Sequence, residues 1–183
     1  MTHATTIGTP SYVRPGEWIA DPAACSLTFA VRSFGLRTVT GQIPLTSAVV
    51  HVDADGHPAS IRAELDARGI DTGNKRRDQD LRGRRFLATG RWPVITFEAG
   101  DIQPNETAWT VVGTLTVKGT HCPVRLEVTR SVAPADDQAP RADLHATGSL
   151  DRRSAGVTAA PALLVGRMIS LSQAFRLRSP AAI

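Results

Sequence analysis

The sequence predicts an all-β fold of about eight strands, and three observations lead to that prediction. Apolar side chains recur at every second position along most of the chain, as they do in strands with one buried face. Short polar turns rich in Gly, Pro and Asp separate these segments. The pattern also lacks the long amphipathic helices that an α/β fold places between its strands. On the residues alone, the predicted architecture is a sandwich or an up-and-down barrel.

Each strand is identified from its own run of alternating side chains. Order begins near Trp18, and Leu27, Phe29 and Val31 then alternate with more polar neighbours. The remaining strands are predicted at Val39–Val52, Ile61–Leu65, Val94–Ala99, Trp109–Val117, Val124–Val128, Leu144–Leu150 and Met168–Leu177. A turn at Asp53–Pro58 reverses the chain after the second strand.

One segment, Thr72–Phe86, breaks the period of two and predicts a short helix packed across one end of the barrel. Asn74 can cap the start of this helix, and Gly83 can end it. Acidic residues lie early in the segment and Arg residues late, as the helix dipole favours. The predicted apolar anchors of the helix are Leu81, Phe86 and Leu87.

The 183-residue chain predicts a single domain over residues 16–179, preceded by a flexible arm over residues 1–15. Ala133–Pro140 predicts a mobile hairpin loop. The N-terminal residues lack the basic start and apolar run of a secretory signal, so we expect a cytoplasmic protein. No stretch approaches the roughly eighteen consecutive apolar residues of a membrane span, so no stable membrane insertion is expected.

Several short motifs follow one another in a definite order along the chain. They are Trp18…Asp21…Ser26…Phe29…Val31, Val39–Gly41, Thr72–Phe86, Trp92–Phe97, Gly113–Val124, the turn Arg153–Gly156 and the strand Val165–Leu171. Each motif is weak alone. Together, their order and spacing resemble the YceI-like family from about Trp18 to Leu177.

The resemblance implies a lipocalin-like antiparallel eight-stranded β-barrel, with the short helix over one end. It also implies that the barrel holds a polyisoprenoid lipid, a quinone-like molecule or a similar amphiphile. Members of the family often form homodimers, so a homodimer is one oligomeric state to consider for this protein. The chain departs from the family pattern at Cys25, Ser33 and Asp80, where members often carry His, and at Ile43, where an aromatic is usual. A haem, metal or proton role for family histidines is therefore not expected here.

Nine apolar residues fall on the inward phase of the predicted strands, and we predict that they line a tunnel for the ligand. They are Phe29, Val31, Ile43, Leu65, Ile95, Phe97, Leu115, Val117 and Leu126. An ordinary filled core is the alternative, because apolar faces usually serve only packing. Burial of each methylene contributes about 0.8 kcal/mol, so a long tail would supply affinity while the polar head stays near the mouth.

A basic cluster in the helical segment offers candidates for a head-group contact, namely Arg77, Asp78 and Arg82. Forked guanidinium groups at the barrel mouth can grip a phosphate, a carbonyl or a carboxylate. The alternative is a solvated helix face, in which Arg77 and Asp78 tie the helix to the barrel rim.

The leading functional hypothesis is a non-catalytic binding or carrier protein with no cofactor and no metal. The sequence lacks the GxSxG, HExxH and GxxxxGK[ST] signatures, and its five histidines are scattered. The alternative is an enzyme in which Asp78 or Asp80, inside the cavity, acts on a hydrophobic substrate.

Charge and cysteine content add two further expectations. The net charge of +4 would favour anionic partners, but exposed aromatics interleaved with basic residues are missing, so nucleic acid is not an expected partner. Cys25 and Cys122 are too few for a disulfide framework, and we expect two buried or half-buried thiols that are reduced in the native protein.

Overall fold

The alternating segments form strands that follow one another as an antiparallel meander. A computed structural model describes residues 14–34, 37–105, 108–131, 141–159 and 165–179. The described strands are β1 (Gly16–Ala20), β2 (Ser26–Ser33), β3 (Arg37–Val52), β4 (Pro58–Asp66), β5 (Val94–Pro104), β6 (Ala108–Val117), β7 (Thr120–Ser131), β8 (Arg141–Asp151) and β9 (Val165–Arg178). The described helix is α1 (Lys75–Arg82).

The sheet closes on itself, which makes the fold a barrel. Each strand from β2 to β8 pairs with the next one along the chain, and β9 also pairs with β2. The short β1 lies beyond the start of β2, after a 3-10 turn at Pro22–Ala24, and pairs with the same two neighbours, β3 and β9. Because β1 and β2 share one position, the barrel has eight strand positions. The predicted eight-stranded barrel is confirmed, and the sandwich alternative is excluded.

The inward face of each strand carries the predicted apolar phase. On β6, Val111, Leu115 and Val117 are buried, whereas Val112 and Thr114 on the opposite phase are exposed. A strand in a closed sheet has only two faces, so this alternation puts one set of side chains in the barrel and the other in water.

Tight turns set the register of two hairpins. The Asp53 carboxylate accepts hydrogen bonds from the backbone N–H groups of Asp55 and His57, which folds the predicted turn between β3 and β4. Between β6 and β7, Lys118 and Gly119 both have positive φ, 52° and 73°. Such turns match the twist of paired strands, and they keep neighbouring strands aligned.

Helix α1 begins and ends at the predicted caps. The side chain of Asn74 accepts a hydrogen bond from the backbone N–H of Arg77 at 3.1 Å, as an N-cap does. At the other end, the backbone N–H of Gly83 donates to the carbonyl oxygen of Asp80 at 3.0 Å. The two caps leave a helix of eight residues.

The helix is shorter than the predicted segment Thr72–Phe86. After Gly83 the chain folds back in turns, because the N–H groups of Leu87 and Ala88 donate to the carbonyl oxygens of Leu81 and Gly83. These bonds satisfy the end of the helix without extending it.

Two predicted segments fall outside the described residues. Residues 1–13 of the predicted arm and the Ala133–Pro140 loop both belong to them. In the part of the chain that is described, no helix is both long enough and apolar enough to cross a membrane. The domain limits and the cytoplasmic location stay predictions.

The cap at Asn74 gives the first test of this architecture. We expect Asn74→Ala to lower the free energy of unfolding by about 1 kcal/mol, because the Arg77 N–H loses its partner. Urea unfolding followed by circular dichroism measures this. Lys75→Ala, one residue away and exposed, is the control and should change stability by less than about 0.5 kcal/mol. Equal effects of the two substitutions would contradict the assigned cap.

Candidate functional site

The barrel interior is not completely filled. A cavity of about 140 Å³ lies at the helix end of the barrel and a second, of about 60 Å³, lies in its middle. A third cavity of about 50 Å³ lies at the opposite end, between Trp18 and Trp109. The walls of all three are almost entirely apolar. The helix-end and middle cavities share Leu27, Leu115 and Leu171, so these three side chains form the partition between them.

All nine residues predicted from the inward phase line one of the first two cavities. Those of the helix-end cavity are Phe29, Val31, Ile43, Ile95, Leu115 and Val117. Those of the middle cavity are Leu65, Phe97, Leu115 and Leu126. The structure therefore brings the whole predicted set together, and ligand contact by these residues stays a prediction.

Part of the cavity wall escaped the sequence analysis. Leu150, Ile169 and Leu171 on β8 and β9 also line the helix-end cavity. They lie on the apolar phase of two predicted strands, so the same alternation contains the signal that identifies them. The third cavity, with Trp18 and Trp109 in its wall, was not predicted at all.

Two glycines allow aromatic rings to lie flat against the barrel wall. A Cβ atom on Gly41 would overlap the ring of Phe29, its cross-strand partner. A Cβ atom on Gly113 would come within 2.6 Å of Cζ of Phe97. With a larger residue at either position, the ring would have to move, and the lumen is the free space beside it. Glycine at these sites therefore helps to keep the interior open.

The helical segment closes one end of the helix-end cavity. Leu81 at the end of α1, with Phe86 and Leu87 in the following turns, lines this cavity opposite the barrel strands. These are the three predicted apolar anchors. They connect the exposed helix to the interior, so the cavity ends against the helical segment at this side.

The three head-group candidates line none of the three cavities, and each has a partner in the segment before α1. Arg77 donates from Nε to Oγ1 of Thr72 at 2.7 Å and from Nη2 to its carbonyl oxygen. Asp78 is buried, and its Oδ1 accepts from the backbone N–H and the hydroxyl of Thr72. Arg82 donates to the carbonyl oxygens of Arg68 and Ile70.

These contacts correspond to the alternative in which the charged residues tie the helix to the barrel rim. The carboxylates of Asp78 and Asp80, named for a possible catalytic role, also lie outside the three cavity walls. Their positions give no support to a reaction inside the barrel.

A buried arginine that the sequence analysis missed borders the helix-end cavity. Arg152 is only 2% exposed. Its Nε donates to the carbonyl oxygen of Gly166 at 3.0 Å, and its terminal nitrogens donate to those of Val157, Ala159 and Val165. The guanidinium therefore links the described residues that follow β8 to the start of β9. An Arg-Arg pair after a strand normally predicts exposed charge, so the sequence held no signal for this role.

The two cysteines are buried and free. Burial raises the pKa of the Cys122 thiol, and the negative charge of Asp151 raises it further. A raised pKa keeps the thiol protonated at neutral pH, and the thiolate is the reactive form. Within the described residues, no group of three or more His, Cys, Asp or Glu side chains could hold a metal ion.

A closed antiparallel barrel with an apolar, partly empty interior and a helical segment over one end defines the lipocalin-like class of barrels. The sequence model of the YceI-like domain matches residues 18–177, which is nearly the whole barrel. The chain therefore belongs to the YceI-like family. The resemblance drawn from the motifs is confirmed.

Similar sequences have been described in Yersinia. A UPF0312 protein from Yersinia pestis (strain Pestoides F) is 35% identical over 75 residues, which are 40% of this chain and 39% of that protein. A UPF0312 protein from Yersinia enterocolitica is 36% identical over 67 residues, or 37% of this chain and 35% of that protein. The chain thus spans less than half the length of these relatives.

Solved structures share the fold at low sequence identity. BcnA from Burkholderia cenocepacia has a TM-score of 0.74 at 20% identity, covering 88% of this chain and 99% of that one. A Campylobacter jejuni YceI protein has a TM-score of 0.72 at 19% identity, covering 79% and 87%. A polyisoprenoid binding domain from Saccharophagus degradans has a TM-score of 0.68 at 15% identity, covering 91% and 100%.

Arg152 provides a test of how this end of the barrel is held. We expect Arg152→Met to lower the free energy of unfolding by at least about 2–3 kcal/mol, because several buried carbonyl oxygens lose their donor. Urea unfolding measures the loss. Arg153→Met, at the exposed next position, is the matched control and should change stability by less than about 0.5 kcal/mol. A loss of similar size in both variants would show that the buried guanidinium has no special role.

Proposed function

We propose that this protein is a non-catalytic binding or carrier protein for a long-chain amphiphile, an isoprenoid lipid or a quinone-like molecule, held in the barrel interior. The observation that carries the proposal is the set of apolar cavities inside the barrel. A barrel of eight strands can be filled by its own side chains, yet this one leaves space at three levels. The polyisoprenoid binding domain of Saccharophagus degradans has the same fold, and its name supports an isoprenoid lipid as the class of ligand.

Burial of the apolar tail supplies the affinity in this proposal. Each buried methylene contributes about 0.8 kcal/mol, so even a few isoprene units give a large favourable term. The nine predicted residues would contact the tail because they form the walls of the helix-end and middle cavities. No reaction is needed for this function, and the carboxylates considered for catalysis lie outside those walls.

The size of the cavities limits how a chain can enter. The helix-end cavity, at about 140 Å³, is close to the roughly 150 Å³ of an engineered cavity that binds benzene. It therefore holds only a short part of a long chain. A longer ligand must pass the partition of Leu27, Leu115 and Leu171, whose side chains would change rotamer to admit it. We infer that this partition is the narrow point of the tunnel.

Leu115 at the partition gives the direct test of the carrier function. We expect Leu115→Trp to weaken binding of a fluorescent polyprenyl analogue at least tenfold, because the indole fills the passage between the two cavities. Overpacking should cost only about 1–3 kcal/mol of stability. Fluorescence titration and thermal unfolding measure the two effects.

The matched control is Thr114→Trp, one residue away on the outer face of β6. It adds the same side chain outside the barrel and should leave affinity unchanged. If the wild type binds no long-chain amphiphile, or if the two variants bind alike, the interior is not the binding site.

Arg77 tests the role of the charged helical segment. We propose that Arg77, Asp78 and Arg82 support the helix through the Thr72 and Arg68–Ile70 contacts and contribute little to the ligand head group. Arg77→Ala should therefore reduce the free energy of unfolding. The affinity for a polyprenyl analogue should stay within about threefold of the wild type, a smaller change than the loss of one hydrogen bond to a charged group would cause. A loss of binding with unchanged stability would instead assign Arg77 to the head group.

A further inference from the structure

The side chain of Gln173 lies inside the barrel, at the level of the middle cavity. Gln173 lies on the inward phase of β9 and is 5% exposed. In the described strands it is the only buried residue with a polar or charged side chain. It lies between Leu27 of β2 and Ala146 of β8, and it lines the middle cavity. Its Nε2 is buried and has no hydrogen-bond partner among the described residues.

An amide nitrogen in this position is energetically costly without a ligand. Burial of an amide that lacks a hydrogen-bond partner is unfavourable, and native proteins pair the great majority of such groups. An apolar residue of the same length would fill this position on β9 at no such cost. The unpaired donor therefore requires a hydrogen-bond acceptor that the described residues do not supply.

A bound water is a poor candidate for that acceptor. A buried water needs two to four polar partners, and the side chains in the wall of this cavity are apolar except those of Ser172 and Gln173. Ser172 lies on the opposite phase of β9, and its Oγ is paired with Nε2 of His145 at 3.0 Å on the outside of the barrel. Among the described residues, Gln173 is therefore the one polar side chain that reaches the lumen at this level. A water there would be held by this single amide alone, whereas the hydroxyl of a ligand would also be held there by burial of its apolar tail.

We propose that Gln173 binds the polar oxygen of the ligand, and that this oxygen is neutral and small, as in the hydroxyl of a long-chain alcohol or a chain-terminal carbonyl. A carboxylate or phosphate at this level would be a buried charge facing a single neutral amide, and such a charge is strongly disfavoured. A hydroxyl suits the site well, since it can accept from Nε2 and donate to Oε1 of the same amide.

The size of the middle cavity narrows the ligand further. At about 60 Å³ it is less than half the roughly 150 Å³ of a cavity that holds a benzene ring, so it accommodates a hydroxyl or carbonyl but no substituted ring. The inference rests on the proposed carrier function and deepens it. The ligand lies with its head at Gln173 in the middle of the barrel, and the part of its tail next to the head occupies the helix-end cavity.

The test compares two ligands in two proteins. Geranylgeraniol and its analogue with a terminal methyl in place of the hydroxymethyl group are titrated into the wild type and into Gln173→Met, by displacement of a fluorescent polyprenyl probe. The measured quantity is the ratio of the two affinities in each protein, which cancels the difference in their hydrophobicity. In the wild type we expect the alcohol to bind more tightly than the hydrocarbon. This preference should fall about three- to tenfold in Gln173→Met, because the variant loses one net hydrogen bond to the hydroxyl.

Stability and spectroscopy supply independent measurements. Without ligand, Gln173→Met should raise Tm by about 2–4 °C, because the unpaired amide is gone. Gln103→Met, an exposed position on β5, is the control and should leave both Tm and the ligand ratio unchanged. In ¹⁵N-labelled wild type, the side-chain amide signal of Gln173 should shift on adding the alcohol and stay in place with the hydrocarbon, and this measurement requires no variant.

The outcomes separate the two proposals. If both ligands bind but their ratio is the same in wild type and Gln173→Met, the head-group assignment is wrong while the carrier function stands. A fall in Tm in Gln173→Met would also overturn the head-group assignment, because the amide would then stabilise the folded protein. If neither ligand binds the wild type, the carrier function itself fails. Tighter binding of geranylgeranyl phosphate than of the alcohol would overturn the neutral head group.

Discussion

Closure of the sheet through β9 is the constraint on which the rest of the structure depends. This strand pairs with β8 along eleven registered positions and with β2 on its other edge, so the sheet has no open side there. A closed sheet pairs its backbone groups with neighbouring strands and leaves only side chains to fill the interior. The contents of the barrel then follow directly from the alternation along each strand. An open sandwich of the same strands would have no such enclosed space.

The alternation made most of this fold predictable from the sequence. The strand around Phe29 and the turn at Asp53–Pro58 each had a local signal, and the caps Asn74 and Gly83 gave the bounds of the helix more accurately than the full Thr72–Phe86 segment did. Local patterns succeed here because antiparallel neighbours are joined by short turns. Closure itself needed the family resemblance, since the same strands are compatible with a sandwich.

The role of Arg152 could not be predicted, because it depends on carbonyl groups after β8 and at the start of β9 that come together only in the folded chain. Gln173 did have a signal. In the strand Met168–Leu177 it is the polar residue within an apolar phase of Ile169, Leu171, Phe175 and Leu177. A single exception inside a regular phase indicates a buried polar group, and the chemistry of its surroundings becomes visible only in the structure.

Arg152 and Gln173 show how buried polar groups can be sorted by their partners. Both interrupt apolar surroundings, and both are at least nineteen-twentieths buried. The guanidinium of Arg152 donates to several backbone carbonyls, so its burial is compensated within the chain and its contribution is to the fold. The amide nitrogen of Gln173 has no such compensation, yet it lies where a larger or apolar side chain would fill space. Folding stability alone does not account for an unpaired donor beside a cavity, whereas a ligand that brings its own acceptor accounts for the amide and the cavity together.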